Sequence, residues 1–92
     1  MNYKLRFPTN AFDDIQRHKK SGDKKILKKI EILLEELKEH PRTGIGQPEQ
    51  LKNDLQGLYS RRINLKLRIV YKIQDEIVTV IILNAYSHYG DK

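Results

Sequence analysis

The side chains best suited to chemistry in this 92-residue chain stand in two places. An apolar, strand-like run ends in Asn84-Ala85-Tyr86-Ser87-His88-Tyr89, although Gly90 and Asp91 would suffice to stop a strand. Histidine titrates near neutrality and can deliver a proton, and tyrosine can stack on a nucleic-acid base. Farther back, Glu49 and Asp54 are the acids of residues 41–72, a stretch that also holds Arg42, Lys52, Arg61, Arg62, Lys66, Arg68 and Lys72. Cations around a carboxylate favour its charged, proton-accepting form, and arginine offers a planar fork that matches phosphate oxygens. Taken singly these residues are ordinary. Glu49 would pair with Lys52 in a loop, Arg62 and Arg68 would be strand cations facing water, His88 would end a strand, and Tyr89 would be a partly buried aromatic.

The net charge of +6 independently suggests an anionic partner, nucleic acid or an acidic protein, and most of the excess lies in residues 41–72. The chain has no cysteine, which excludes disulfides and thiolate metal sites, and its histidines, His18, His40 and His88, are too scattered to suggest structural zinc. No metal or cofactor is expected. The length allows one domain, residues 1–92, with one modest core. The N-terminal MNYKLRFP has no long apolar run, and no segment approaches the ~20 apolar residues that cross a bilayer. A soluble, cytoplasmic protein with no membrane contact is expected.

The elements that must position these residues follow from periodicity. Tyr3, Leu5 and Phe7 alternate with Lys4 and Arg6 as in a half-buried strand, and Pro8 stops it. Thr9 or Asn10 can cap a first helix with Phe12 and Ile15 on its inner side, ending near Ser21-Gly22. A strong amphipathic helix follows from Asp23 to about His40, with Ile26, Ile30, Leu33 and Leu37 as its stripe. Residues 41–50, with two prolines and two glycines, read as a loop, followed by a helical turn near Glu49–Leu55. After Gly57 the chain turns to strand in LYSRRI, LKLRIVYKI and IVTVIILNAYSHY, with turns near Asn64 and Gln74-Asp75-Glu76. In the middle strand Leu65, Leu67, Ile69, Tyr71 and Ile73 would face the helices, and Lys66, Arg68, Val70 and Lys72 would present cations on the other side. The expected architecture is α+β, in the order β-α-α-β-β-β, with an antiparallel sheet carrying two N-terminal helices on one face.

At this level of detail the sequence resembles the YoeB/Txe toxins of type II toxin–antitoxin modules, within the RelE superfamily. The resemblance rests on Pro48-Glu49-Gln50-Leu51-Lys52, Leu55-Gln56-Gly57, Tyr59-Ser60-Arg61-Arg62-Ile63, Arg68-Ile69-Val70-Tyr71 and His88-Tyr89. It covers the whole length, since the opening strand and two helices also fit the RelE-like, microbial RNase-like pattern. Two departures stand out: Leu67 where the family commonly has histidine before the arginine, and Gly90-Asp91-Lys92 beyond the terminal His-Tyr.

The resemblance implies a ribosome-dependent mRNA endoribonuclease that blocks translation. Metal-free RNA cleavage removes a proton from a ribose 2′-hydroxyl, stabilises a phosphorane and protonates the leaving 5′-oxygen. It would assign Glu49 as base, Arg68 as phosphate clamp, His88 as acid and Tyr89 as a stacking or orienting group, with Lys52 and Arg62 binding RNA. Arg61 and Arg62 point to opposite faces of one strand, so one of them at most faces the site, and the resemblance favours Arg62. The implied partners are a cognate acidic antitoxin, mRNA in the ribosomal A site with its rRNA, operator DNA reached through the antitoxin, and a second copy of the chain in a homodimer. A ParE-like gyrase inhibitor and a non-catalytic antitoxin- and DNA-complex module are the alternatives on the same fold; the terminal His-Tyr argues against the first.

Overall fold

The computed structural model describes residues 2–88, the last two through their backbone alone. The alternation around Leu5 forms strand β1 (Lys4–Arg6), and Pro8 then occupies the N-cap of helix α1 (Thr9–Ser21) without a side-chain cap. Gly22, in the left-handed conformation at φ 74°, closes that helix by donating its N–H to the Lys19 carbonyl. Asp23 caps helix α2 (Lys24–Glu39), its carboxylate accepting from the N–H groups of Lys25 and Ile26. The α2 stripe buries Ile30, Leu33 and Leu37, as the spacing predicts. The inner side of α1 differs from expectation. Ala11 and His18 are its buried residues and Ile15 is partly buried, whereas Phe12 is 53% exposed. The helix lies close to the sheet, which suits a small side chain and one that can hydrogen-bond to it.

The remaining elements are β2 (Glu49–Gln50), a 3-10 turn over Asn53–Leu55, β3 (Leu58–Arg62), β4 (Leu67–Gln74), a second 3-10 turn over Asp75–Ile77, and β5 (Thr79–His88). Together with β1 they make a five-stranded sheet in the order β1-β5-β4-β3-β2. The β-α-α-β-β-β order and the pair of helices on one face hold, but the sheet is mixed rather than wholly antiparallel. β1 pairs with β5 in parallel, Lys4 to Thr79 through Arg6 to Ile81. Its neighbour is the last strand, so no hairpin reverses its direction. The two residues of β2 add an edge strand inside the region read as loop and turn.

Ile63, Leu67, Ile69, Tyr71, Val80, Ile82 and Ala85 meet Leu33 and Leu37 in the core. Leu65 does not join them. It is 85% exposed, because β4 starts only at Leu67 and the Asn64 carboxamide oxygen holds a turn by accepting from the N–H groups of Lys66 and Leu67. The largest fully buried side chain is a charged one, Arg61. Its guanidinium donates to Glu36 Oε1 at 2.6 Å, to the carbonyls of Thr43 at 2.6 Å and Ile45 at 3.3 Å, to Tyr71 Oη at 3.2 Å, and to the His40 carbonyl. A buried cation is tolerated only when paired and fully hydrogen-bonded, and this one ties the loop after α2 to the sheet. A surface clamp closes the same end of the molecule. Tyr3 Oη donates to Asp75 Oδ1 at 2.7 Å, and Arg42 grips both oxygens of Asp75 at 3.2 and 2.7 Å.

Truncating one partner of a buried, hydrogen-bonded pair leaves the others desolvated and unmatched. Arg61→Leu should therefore lower unfolding stability by about 3–5 kcal/mol, visible as a lower urea midpoint; a midpoint equal to wild type would refute the anchoring role. Asp75 supplies a pH-dependent counterpart. Arg42, and then Tyr3, hold its carboxyl below the ordinary 3.8, so its contribution is present above that value and is lost as pH falls through the depressed folded value. Urea midpoints measured from about pH 7 to about pH 2 should accordingly show Asp75→Asn less stable than wild type at the upper end, with the gap closing under acid.

Candidate active-site groove

Successive residues of a strand alternate between faces, so the commitment of Arg61 to the helix side sends Ser60 and Arg62 to the other. Cross-strand pairing then collects residues on that open face. Glu49 stands opposite Ser60, Ser60 opposite Val70, and Arg62 opposite Arg68. Glu49, Arg62 and Arg68 thus project from one side of three neighbouring strands, and the alternative between Arg61 and Arg62 resolves geometrically to Arg62 on the open face.

The chain from β2 through the 3-10 turn folds over this face and encloses a groove of about 860 Å³, lined by Glu49, Gln50, Leu51, Lys52, Asn53, Asp54, Leu55 and Arg68. Leu51 is buried beneath it, and its N–H donates to the Leu58 carbonyl to keep the segment against β3. Asn53 takes the left-handed conformation at φ 58°, which asparagine tolerates better than most residues. Gly46 acts one step earlier. Its carbonyl accepts the Arg62 N–H at 2.6 Å, and at its φ of 82° a Cβ would come within 2.9 Å of Leu33 Cδ2, so only glycine lets the loop pass between α2 and β3.

This cover changes the character of the open face. Lys66 and Lys72 are exposed, as expected, but Arg68 is 6% exposed and Val70 is 4%, so the face is not a plain array of solvated cations. Arg68 lies at the floor, with the exposed Glu49 and Lys52 on the wall and the half-buried Arg62 beside it in register. A guanidinium recessed from water interacts with an anion more strongly than one at the surface, because less solvent screens it. The groove thus brings together a carboxylate, an ammonium and a recessed guanidinium, the kinds of group that proton transfer and phosphate binding use.

His88 enters through the backbone. β5 pairs Ser87 with Arg68 and His88 with Leu67, which brings the end of the last strand beside the groove floor. The His88 side chain, and Tyr89 altogether, lie outside the described residues. Of the residues singled out from sequence, Glu49, Lys52 and Arg68 line one groove, and Arg62 adjoins it. Sequence reasoning misses the apolar wall of Leu51 and Leu55, which is visible only once β2 is known to pair with β3.

Two helices over one face of a mixed sheet, with a groove lined by both acids and cations on the other, define a small α+β domain of the RelE-like class. The sequence matches, over residues 7–89, the family model described as YoeB-like toxin of bacterial type II toxin-antitoxin system, and the chain belongs to that family. Toxin YoeB of Synechocystis is 40% identical over 83 residues, spanning 86% of this chain and 94% of the relative. Among solved structures, the YoeB/ParE toxin from Agrobacterium tumefaciens superposes with a TM-score of 0.86 at 31% identity, covering 94% of this chain and 99% of that one. The YoeB dimer from Staphylococcus aureus gives 0.79 at 38% identity, covering 97% and 100%.

Proposed function

We propose that this toxin is an endoribonuclease that cuts mRNA in the ribosomal A site and so stops translation. The observation that carries the reading is the groove itself, which places the Glu49 carboxylate, the Lys52 ammonium and the recessed Arg68 guanidinium on one wall and floor in a member of the YoeB family. In the proposed reaction Glu49 takes the proton of the 2′-hydroxyl. The 2′-oxygen attacks the adjacent phosphorus, and Arg68 holds the phosphorane oxygens with its planar fork as negative charge builds. His88 protonates the departing 5′-oxygen, leaving a 2′,3′-cyclic phosphate and a 5′-hydroxyl. Tyr89 stacks on a base or orients the phosphate, while Lys52 and Arg62 contact the RNA backbone.

Partners follow from the same reading. A YoeB-YefM complex is known from Staphylococcus aureus, as is a YoeB dimer. We propose that this chain likewise pairs with a cognate antitoxin. The antitoxin's acidic, partly disordered segment folds across Arg62, Arg68 and His88, and operator DNA is contacted through it. Self-association is proposed on the same footing. The site of action is the cytoplasm, where the ribosomes are.

Purified protein added to translating ribosomes, with mRNA ends mapped, tests the reading directly; intact mRNA alongside undiminished translation would sink it. Two substitutions then separate chemistry from electrostatic binding. Arg68→Lys keeps the charge but cannot make two parallel hydrogen bonds, so it should bind ribosomes nearly as well as wild type and cleave about 10²-fold more slowly in single turnover. Both are to be measured at one fixed salt concentration, since affinity for an RNA surface moves strongly with ionic strength. Equal losses in binding and rate would reduce Arg68 to a part of the basic surface. His88→Gln should slow cleavage by about 10²-fold or more with the urea midpoint unchanged, and full cleavage by that variant would remove His88 from the mechanism.

A further inference from the structure

Among the described residues, the outer edge of β5 has a strand partner only at its start. β1 pairs with Thr79–Ile81, and past that point the backbone of β5 faces α1 instead. There, three polar side chains spaced by four along one side of the helix serve the strand in place of a neighbour. Asn10 Nδ2 donates to the Leu83 carbonyl at 2.8 Å, Asp14 Oδ2 accepts from the Ala85 N–H at 3.0 Å, and His18 Nε2 lies 2.7 Å from the Ala85 carbonyl. A carbonyl can only accept, so Nε2 of His18 carries the proton. The histidine is 1% exposed and stacks on Tyr86 with ring centroids 4.6 Å apart, while the Arg17 guanidinium lies 3.8 Å from the centroid of the same tyrosine ring.

This segment is also where β5 is irregular. Tyr71 pairs with Ile82 but Val70 with Asn84, and Arg68 pairs with Ser87, so β5 carries one extra residue in each of those two steps. Bulges bend a strand and re-aim the residues beyond them. The side chains of α1 thus hold the backbone of the bulged stretch, Leu83–Tyr86, immediately before the residues that β5 sets against Leu67 and Arg68.

We propose that Asp14 and His18 are positioning residues of the ribonuclease site. By fixing the bulges of β5 from the outside they determine the register in which its last residues meet the groove floor. The proposal rests on the ribonuclease reading. Misplacement of a reacting group by about 1 Å can slow a reaction about 10²-fold, so a loosened bulge should appear in rate rather than in binding.

The test uses paired variants of the full chain. His18→Phe keeps a ring against Tyr86 but deletes the donor, and His18→Gln restores one; Asp14→Ala deletes the acceptor, and Asp14→Asn restores one. Single-turnover cleavage at saturating ribosomes should fall by about 10-fold to about 10²-fold in the deleting variants. Ribosome affinity should stay unchanged, and the restoring variants should recover most of the rate. Amide hydrogen exchange should quicken at Ala85 and Ser87 and stay as in wild type at Val80–Ile82. Asp14→Ala truncates a half-buried side chain rather than a fully buried one and keeps the test decisive if His18→Phe does not fold. Exchange that quickens along the whole of β5, or rates equal to wild type, would overturn the positioning role alone. Wild-type protein that cuts no mRNA would overturn the ribonuclease reading and this proposal with it.

Discussion

The buried guanidinium of Arg61 is the constraint on which the groove depends. Without a partner it would be far too costly to desolvate, so the chain around it is arranged to supply acceptors: one carboxylate from α2, backbone carbonyls from the loop after α2, and the hydroxyl of Tyr71, which itself donates to the Pro41 carbonyl at 2.9 Å. That loop leads directly into β2. Holding it against β3 decides where Glu49 pairs, and the pairing decides which residues share the open face. A lysine could not do this, because its single ammonium offers three donors from one point, whereas the guanidinium reaches acceptors in several directions within one plane. The adjacent arginines of the sequence therefore divide the labour, Arg61 toward the fold and Arg62 toward the groove.

A second constraint acts from the other edge of the sheet. β1 is only three residues long, so it cannot cover a ten-residue β5. A long unpaired edge leaves backbone groups without partners. Here the edge is covered by a helix whose polar side chains bond to it, which leaves β5 free of the register that a regular neighbouring strand would enforce. The bulges sit in that stretch. The fold thus combines a regular half, where β3 and β4 pair without interruption, with a bulged last strand bonded from outside by side chains.

How far this is legible in sequence depends on the period involved. The α2 stripe, the three late strands and the turns at Asn64 and Asp75 carry strong local signals, and the structure has them at the expected places. The parallel β1–β5 pair is not legible, because partners some 75 residues apart leave no local trace. The inner side of α1 escapes for a more instructive reason. Phe12 looks like core by polarity, yet the helix presents Ala11 and His18 to a strand that needs close approach and a hydrogen-bond donor. Hydrophobicity alone cannot signal that. Within the groove, Glu49, Lys52 and Arg68 stand out by motif and share one cavity, but the depth of Arg68 is hidden because the cover over it comes from a two-residue strand.

The distribution of charge follows from these same constraints. Arg42 and Arg61 are each matched by a carboxylate at 2.7 and 2.6 Å, Asp75 and Glu36 respectively, so their fields are largely cancelled within a few ångströms. Both pairs lie toward the helix side or at its rim. Alternation places Arg62, Arg68 and Lys72 on the opposite face, with Lys52 on the groove wall and Lys66 in the turn before β4. A basic stretch that looks uniform in sequence thus divides on folding: Arg42 and Arg61 hold the structure, and Arg62, Arg68 and Lys72 stand on the other face of the sheet. The groove itself sets two acids beside Lys52 and Arg68, Asp54 in the covering turn and Glu49 on β2. Of these, Glu49 is the one that strand pairing ties to the sheet, opposite Ser60, on the face that also carries Arg62 and Arg68.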